Sequence, residues 1–230
     1  MKTIGLIGGM SWESTVSYYQ VINEKIKESL GGFHSAKLVL YSVDFHEIEQ
    51  LQSSGEWVAA GEVLADAARA LKAAGADFLV LCTNTMHKVY GAIEAAVDIP
   101  LFHIADAAAQ AIKEKGISTV GLLGTRFTME EAFYRERLRV DHGFEVLVPD
   151  QEDRDLVHRV IFEELCLGKI DAASRDAFRT IVAGLVERGA EGVILGCTEI
   201  ALLLPPADSS TPLFDTAAIH ARKAADLALL

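Results

Sequence analysis

Residues 3–8 read TIGLIG and residues 119–124 read TVGLLG, so the same short apolar motif occurs twice at a spacing of 116 positions. Residues 75–81 (GADFLVL) recur in similar form as residues 189–195 (GAEGVIL), 114 positions later. The tripeptide PLF also occurs twice, 112 positions apart. Each match alone is common in α/β proteins, but three matches in the same order at nearly one spacing indicate an internal duplication.

Short apolar runs alternate with longer amphipathic stretches around these motifs. The predicted strands are residues 3–7, 37–43, 78–81, 101–103, 120–123, 145–148, 193–195 and 213–214. The predicted helices are residues 15–29, 56–74, 105–115, 130–140, 154–167, 172–188 and 217–229. This alternation is typical of parallel sheets built from βαβ units, so we predict an α/β fold.

The duplication predicts two Rossmann-like parallel-sheet domains related by a pseudo-twofold axis. We expect the N-terminal domain to comprise residues 1–98 together with residues 211–230, and the C-terminal domain to comprise residues 99–210. Ligands of such sheets bind beyond the carboxyl ends of the strands. A pseudo-twofold axis would aim both sets of strand ends at one shared cleft, and we predict the active site there.

The composition narrows the class of function. The chain has 230 residues, of which 50% are hydrophobic, and a formal net charge of -12. A surface this negative binds nucleic acid or an anionic membrane poorly, because both partners are polyanions. The sequence has no membrane-spanning run and no signal-peptide pattern. Three widely spaced cysteines favour neither a disulfide framework nor a zinc site, so we expect a reduced cytoplasmic protein.

The residues that follow the two copies of the second repeat are candidates for acid–base chemistry. Extending this repeat without a gap pairs Cys82 with Gly196 and Thr83 with Cys197. Matching the two Cys-Thr pairs by eye would shift the alignment by one residue, which turns every side chain of the preceding strand to the wrong face. We therefore predict Thr83 and Cys197 as partners. Inversion of an α-carbon needs two such groups, because one removes a proton from one face and the other delivers a proton to the opposite face.

Polar residues follow both of these strand ends. Asn84 and Thr85 come directly after Thr83, and Thr198 comes directly after Cys197. Hydroxyl and amide groups of this kind, together with backbone N–H groups at a following helix start, suit a carboxylate. We therefore predict that these three residues bind the substrate.

A glycine-rich turn, Gly8-Gly9-Met10-Ser11, follows the first strand. It matches neither G-x-G-x-x-G nor the Walker pattern, so no nucleotide site is predicted. The glycines would instead let the backbone approach a small ligand closely. We predict that the amide of Met10 or the side chain of Ser11 contacts a carboxylate, and that Thr125 does so in the matched loop.

The cysteines have two predicted roles. A free cysteine is often inert packing, and we predict that role for Cys82 and Cys166. Cys197 ends a buried strand and opens a Gly-Cys-Thr turn, where a helix N-terminus can lower the pKa of a thiol. The seven histidines show no metal-ligand spacing, so no metal site is predicted. His87 stands at a predicted helix start, where it either orients the site or packs.

These motifs also match a known family. The chain resembles the aspartate/glutamate racemase superfamily over essentially its whole length, through IGLIGGM at residues 4–10, GADFLVLCTNTMH at residues 75–87, GAEGVILGCTEI at residues 189–200 and PLFDTAAIHA at residues 212–221. The stretches SWEST and CTNTMHK are similar to a bacterial branch of broad-specificity amino-acid racemases. The resemblance implies two Rossmann-like domains, racemisation of a small amino acid without pyridoxal phosphate, metal or other cofactor, and a homodimer.

Three positions depart from the family pattern. The family carries cysteine at both strand ends, whereas the first position here is Thr83. Members with acidic substrates carry an arginine and a lysine that bind the side chain, and the matching positions here are Phe45 and Cys166. The resemblance therefore does not imply strict aspartate specificity. We expect Gln52 and His46 to contact the substrate side chain instead.

The two-base pattern of the family implies a role for each member of the matched pair. Cys197, as a thiolate, takes the α-proton of an L-amino acid, and Thr83 supplies a proton to the other face. Hydrogen bonds from Asn84, Thr85 and Thr198 to the α-carboxylate stabilise the carbanion. Because a threonine hydroxyl is a far weaker acid than a thiol, we expect slow racemisation in both directions.

Two other functions are compatible with the sequence. The same superfamily includes single-thiol decarboxylases of substituted malonates and isomerases of unsaturated diacids, and the absence of a first cysteine suits them as well. The polar residues Thr83, Asn84 and Thr85 favour racemisation. The second alternative is a non-catalytic amino-acid-binding protein that kept the fold.

Overall fold

The computed structural model describes residues 1–206 and 209–230. The strands in these ranges are β1 (Ile4–Gly8), β2 (Leu38–Ser42), β3 (Phe78–Leu81), β4 (Leu101–Phe102), β5 (Thr119–Gly124), β6 (Glu145–Leu147), β7 (Gly192–Gly196) and β8 (Leu213–Asp215). Each predicted strand is present, and no end is shifted by more than one residue.

Helices connect the strands. They are α1 (Trp12–Leu30), α2 (Phe45–Ser54), α3 (Trp57–Ala73), α4 (Tyr90–Ala96), α5 (Ile104–Glu114), α6 (Arg126–Glu130), α7 (Ala132–Glu136), α8 (Gln151–Glu163), α9 (Ala172–Glu187), α10 (Ile200–Leu203) and α11 (Thr216–Leu229). Short 3₁₀ turns cover Thr85–Val89 and Leu165–Leu167, and a π-helical turn covers Arg137–Asp141. The sequence prediction lacks α2, α4, α6 and α10. Within the described ranges, no helix combines the length and apolar character that crossing a bilayer requires.

The strands form two four-stranded sheets in which every pairing is parallel. The first has the order β2-β1-β3-β4 and the second the order β6-β5-β7-β8. The prediction of an α/β fold with two parallel sheets is therefore confirmed. The carboxyl ends of the strands in each sheet lie at one edge, which is where parallel α/β sheets bind ligands.

The internal repeat is visible in both sheets. The two copies of T-x-G-L-x-G form β1 and β5, which occupy the same interior position. A Cβ atom added to Gly5 would come within 2.8 Å of the Ala76 Cβ, and one added to Gly121 would come within 2.9 Å of the Leu185 Cδ1. The Ala76 Cβ cannot move aside, so β1 needs glycine at this position, whereas the Leu185 side chain beside Gly121 can shift.

The chain divides into two compact units, Met1–Ile104 with His220–Leu230, and Ala105–Ile219. The predicted boundaries after residues 98 and 210 are too early. Strand β4 pairs with β3 and stays with the first unit, whereas β8 pairs with β7 and stays with the second. The chain therefore changes units after the fourth strand of each repeat, because that strand completes its sheet.

Each unit has its own hydrophobic core. In the first unit, β1 and β3 are buried along their whole lengths and pack against apolar side chains of α3 such as Leu64 and Leu71. In the second unit, β7 packs against α8 and α9 through residues such as Val157 and Phe178. Burial on both faces explains why the interior strands have continuous apolar sequences instead of alternating ones.

Candidate active site

The site residues of the first unit follow the carboxyl ends of β1 and β3. These ends are held side by side, because the Cys82 amide donates a hydrogen bond of 2.9 Å to the Ile7 carbonyl. After β1, the Gly9 amide donates to the Thr15 Oγ1 at 2.9 Å. Gly9 has φ of +99°, which side chains rarely tolerate, and a Cβ there would lie 2.2 Å from the Val43 carbonyl oxygen. Only glycine fits this tight turn.

Met10 and Ser11 both lie at this edge and are buried. The Met10 side chain belongs to the hydrophobic core, so its backbone amide is the group that could reach a ligand. The Ser11 carbonyl accepts hydrogen bonds from the Ser14 hydroxyl at 3.0 Å and from the Thr15 hydroxyl at 2.9 Å. This carbonyl thereby anchors the start of α1.

Thr83, Asn84 and Thr85 form a buried turn directly after β3. The turn leads into the 3₁₀ segment that begins at Thr85. The Thr83 carbonyl lies 2.8 Å from the Nδ1 of the buried His87. The turn therefore places three polar side chains at the carboxyl edge of the first sheet.

Gln52 lies on α2 and is buried, with 6% of its surface exposed. Its amide nitrogen donates to the Met86 Sδ at 3.0 Å, so the side chain packs beside the segment that follows β3 and does not face solvent. His46 is exposed in the first turn of α2, where its backbone amide donates to the Asp44 side chain. Gln52 thus lies near the predicted substrate-binding residues after β3, whereas the His46 side chain is at the surface.

The site residues of the second unit follow β5 and β7. Gly124 pairs with Gly196 in neighbouring strands, so the next residues, Thr125 and Cys197, emerge side by side. Thr125 is the N-cap of α6, and its hydroxyl oxygen accepts from the Thr128 amide at 3.3 Å. Capping of this kind occupies part of the hydrogen-bonding capacity of the hydroxyl.

The register within each sheet supports the predicted correspondence of Thr83 and Cys197. Ile7 of β1 pairs with Leu81 of β3, and Leu123 of β5 pairs with Leu195 of β7. Thr83 is the second residue after Leu81, and Cys197 is the second residue after Leu195, so the two residues occupy equivalent positions.

Glu199 is a buried residue beside Cys197 that the sequence prediction of the site did not include. It is 5% exposed, and its Oε2 accepts a hydrogen bond from the Cys197 Sγ at 3.1 Å and another from the Thr198 Oγ1 at 2.6 Å. The motif GCTE does place a carboxylate two residues after the cysteine, but the sequence does not show that the turn folds this carboxylate onto the thiol.

The expectation of a lowered pKa at Cys197 is wrong. Burial among apolar side chains raises the pKa of this thiol well above its ordinary value, and the negative charge of Glu199 raises the pKa further. The following helix, α10, has only 4 residues, so its dipole offers little compensation. Cys197 at rest is therefore a protonated thiol hydrogen-bonded to a carboxylate.

The other two cysteines have different environments. Cys82 is completely buried, which raises the pKa of its thiol, and its Sγ donates to the Val80 carbonyl at 3.9 Å. Cys166 is half-buried and packs against the core of the second unit. Both side chains contribute to packing, as expected from the sequence.

Comparisons with known proteins place the chain in a family. The model of the Asp/Glu/Hydantoin racemase family matches residues 7–224. A solved structure of a candidate Asp/Glu racemase from Yersinia pestis is 60% identical, with a TM-score of 0.93, and the match covers 100% of both chains. An aspartate racemase homologue from Pyrococcus horikoshii is 38% identical, with a TM-score of 0.85 and the same coverage.

A relative with a named activity also matches the chain over most of its length. The broad specificity amino-acid racemase RacX of Bacillus subtilis is 23% identical over 234 residues, covering 95% of each chain. The sequence resemblance noted at the outset is therefore confirmed, and the chain belongs to the Asp/Glu/hydantoin racemase family.

Proposed function

We propose that the protein is an amino-acid racemase that works without pyridoxal phosphate and exchanges the α-proton between Cys197 and Thr83. The observation that carries this proposal is the buried Cys197 thiol at the carboxyl end of β7, 3.1 Å from the Glu199 carboxylate. A thiol next to a buried proton acceptor can form the thiolate that removes an α-proton. The family membership and the matched position of Thr83 support the second half of the exchange.

The proton moves in three steps in the direction from L to D. First, the Sγ–H bond of Cys197 breaks and the proton passes to Oε2 of Glu199. Next, the thiolate takes the α-proton of the L-amino acid, and the electron pair of the C–H bond delocalises into the α-carboxylate. Finally, the Thr83 hydroxyl gives its proton to the opposite face of the α-carbon and is left as an alkoxide, which recovers a proton from solvent, while Glu199 releases to solvent the proton it took from Cys197.

Substrate binding in this proposal uses the polar groups at the two strand edges. In the first unit these are the Met10 amide, the side chains of Ser11, Asn84 and Thr85, and Gln52 near the substrate side chain. Thr125 and Thr198 serve in the second unit. Hydrogen bonds aimed at the carboxylate oxygens stabilise the charge that develops when the α-proton leaves, and this stabilisation is greatest where water is excluded.

The threonine limits the rate in both directions. Enantiomers have equal free energies in water, so the values of kcat/KM for the two directions must be equal. The alkoxide on Thr83 is costly to form, because a hydroxyl is a much weaker acid than a thiol. A slow Thr83 step therefore reduces kcat/KM for both enantiomers.

The test is a screen of the common L- and D-amino acids in deuterated water. The α-proton is followed by NMR and the configuration by chiral chromatography. We expect deuterium at the α-carbon together with formation of the other enantiomer. Cys197→Ala should abolish both signals, and Thr83→Cys should raise the racemisation rate, because a thiol exchanges its proton far more readily.

Three results would contradict the proposal. Retained exchange in Cys197→Ala would remove the thiol from its role. Release of carbon dioxide from a substituted malonate, without amino-acid exchange, would assign the protein to single-thiol decarboxylation. A rise in melting temperature with amino acids, without entry of deuterium, would identify a binding protein.

We also propose that the protein functions in the cytoplasm as a homodimer. The chemistry requires a free Cys197 thiol, and a reducing compartment preserves it. Helix α1 exposes Trp12, Val16 and Tyr19 at helical spacing, with exposed fractions of 65%, 54% and 54%. Apolar and aromatic side chains grouped on one helix face are typical of a subunit interface.

A further inference from the structure

We propose that His87 is a positioning residue that holds Thr83 in place for proton transfer; this inference rests on the proposed function. His87 is buried, with 2% of its surface exposed, and it lies in the 3₁₀ segment after β3. Its side chain reaches back to the backbone of Thr83 and across to the first residue of α5, Ile104. One ring thus connects the turn that carries Thr83 to a second element.

The two contacts define the protonation of the ring. The Nδ1 lies 2.8 Å from the Thr83 carbonyl oxygen, which is only an acceptor, so Nδ1 carries a proton and donates. The Nε2 accepts a hydrogen bond of 3.2 Å from the Ile104 amide, so Nε2 carries none. His87 is therefore a neutral imidazole with its proton on Nδ1.

Neighbouring rings restrict how His87 can move. The His103 ring is tilted against it at a centroid distance of 4.3 Å, and the Tyr90 ring is nearly parallel to it at 6.4 Å. The Tyr90 hydroxyl is itself held between two acceptors, the Leu101 carbonyl oxygen and the Glu94 Oε1, each at 3.0 Å. Because the ring is confined on these sides, its bond to the Thr83 carbonyl sets the direction of the turn.

The position of Thr83 matters because proton transfer depends steeply on geometry. A displacement of about 1 Å in a reacting group can cost about 100-fold in rate. Thr83 has the harder step in the proposed reaction, so loss of its backbone anchor should slow that step selectively. Removal of the α-proton by Cys197 depends on this turn only through substrate binding by Asn84 and Thr85, which both steps share.

Two substitutions separate the two bonds of the ring. His87→Asn places an amide N–H at the Nδ1 position, which preserves donation to the Thr83 carbonyl and loses the Ile104 bond. His87→Gln places the amide oxygen near the Nε2 position, which preserves the Ile104 bond and loses donation to Thr83. Both variants keep a polar group at the buried site, which favours folding.

The measured quantity is a ratio obtained from an L-amino acid in deuterated water. The numerator is the rate of D-enantiomer formation, which needs Thr83. The denominator is the rate of deuterium entry into the L-enantiomer, for which Cys197 is the only proton-transfer group needed. We expect His87→Gln to lower this ratio about tenfold, because any change in substrate binding by Asn84 and Thr85 enters both rates, whereas displacement of Thr83 enters only the first. His87→Asn should keep a ratio close to that of the wild type.

His220 provides a matched control in the same unit. It is also completely buried, with its Nδ1 2.9 Å from the Tyr18 hydroxyl and its Nε2 3.0 Å from the Phe102 carbonyl oxygen, and its ring lies edge-on to the His87 ring at a centroid distance of 6.2 Å. None of these contacts involves Thr83, so His220→Gln disturbs the packing around His87 and leaves the bond from His87 to Thr83 in place. His220→Gln should lower stability without changing the ratio. Similar ratios in His87→Gln and His87→Asn, or an equal fall in His220→Gln, would overturn the positioning role. Absence of any exchange in the wild type would instead refute the proposed function.

Discussion

Two opposing requirements meet at the thiol of Cys197. Burial and the adjacent Glu199 charge raise the pKa of the thiol, so the thiolate is scarce at rest. The same burial makes a thiolate, once formed, a stronger base, and Glu199 provides an immediate acceptor for its proton. A charged group in a low-dielectric site interacts more strongly with its partners than it would in water. In the proposed reaction, reactivity at this residue is therefore coupled to transfer of a single proton to Glu199.

Glu199→Gln separates the charge of this residue from its capacity to accept a proton. Removing the charge should lower the pKa of the Cys197 thiol, so the ultraviolet signal of the thiolate should appear at lower pH than in the wild type. Glutamine cannot accept the thiol proton, so we expect α-proton exchange to fall about 100-fold or more. Subtracting the titration of a Cys197→Ala variant isolates this thiol. Faster exchange in Glu199→Gln would show that the carboxylate only hinders thiolate formation.

The sequence could predict which residues occupy the strand ends, but not all of their environments. The position of Cys197 follows from the repeat and the strand register. The contact between Cys197 and Glu199 depends on how the turn after β7 folds, and the burial of Gln52 depends on how α2 packs near Met86. Contacts of this kind arise from tertiary packing, which hydrophobic periodicity does not describe.

At the scale of elements, strands were easier to predict than short helices. Interior strands such as β1 have continuous apolar sequences bounded by glycine, which is a strong local signal. Helix α2 has a polar sequence, FHEIEQLQSS, with few apolar positions, so its periodicity is weak. Its ends did carry signals, because Asp44 caps the start and Gly55 ends the helix with φ of +77°. Capping residues therefore contained information that apolar periodicity lacked.

The interior position of β1 predicts a large effect of one added methyl group. Alanine at Gly5 would bring its Cβ within 2.8 Å of the Ala76 Cβ, which has no rotamer to relieve the clash. We expect Gly5→Ala to lower the free energy of unfolding by roughly 1–3 kcal/mol, measured by urea denaturation. Gly184 of α9 is the control, because a Cβ there has no neighbour within 4 Å. Gly184→Ala should be neutral or stabilise by up to about 1 kcal/mol; equal effects of both substitutions would contradict the packing argument.

At the scale of the whole molecule, the duplication extends to the amino ends of the sheets. The Asp77 carboxylate accepts from the Thr3 amide at 2.6 Å, and the Glu191 carboxylate accepts from the amides of Ser118 and Thr119 at 2.8 and 2.9 Å. Asp77 and Glu191 occupy the same position of the repeat. In both copies, a carboxylate before the third strand therefore binds backbone amides at the start of the first strand. The carboxyl ends of the two copies differ, with Thr83 in one and Cys197 in the other.

The proposed homodimer gives a prediction about the chain as a whole. Val16 is 54% exposed in the middle of the apolar face of α1, so a charge there should leave the folded subunit intact. In a dimer that buries this face, Val16→Glu would place an unpaired carboxylate in an apolar interface, at a cost of several kcal/mol. Sedimentation equilibrium should therefore find a dimer for the wild type and a monomer for Val16→Glu. Val58→Glu, on α3 at 78% exposure, is the matched control and should stay dimeric. A monomeric wild type would contradict the proposed homodimer. A dimeric Val16→Glu would rule out α1 as the interface, because an apolar contact cannot accommodate the added carboxylate without loss of affinity.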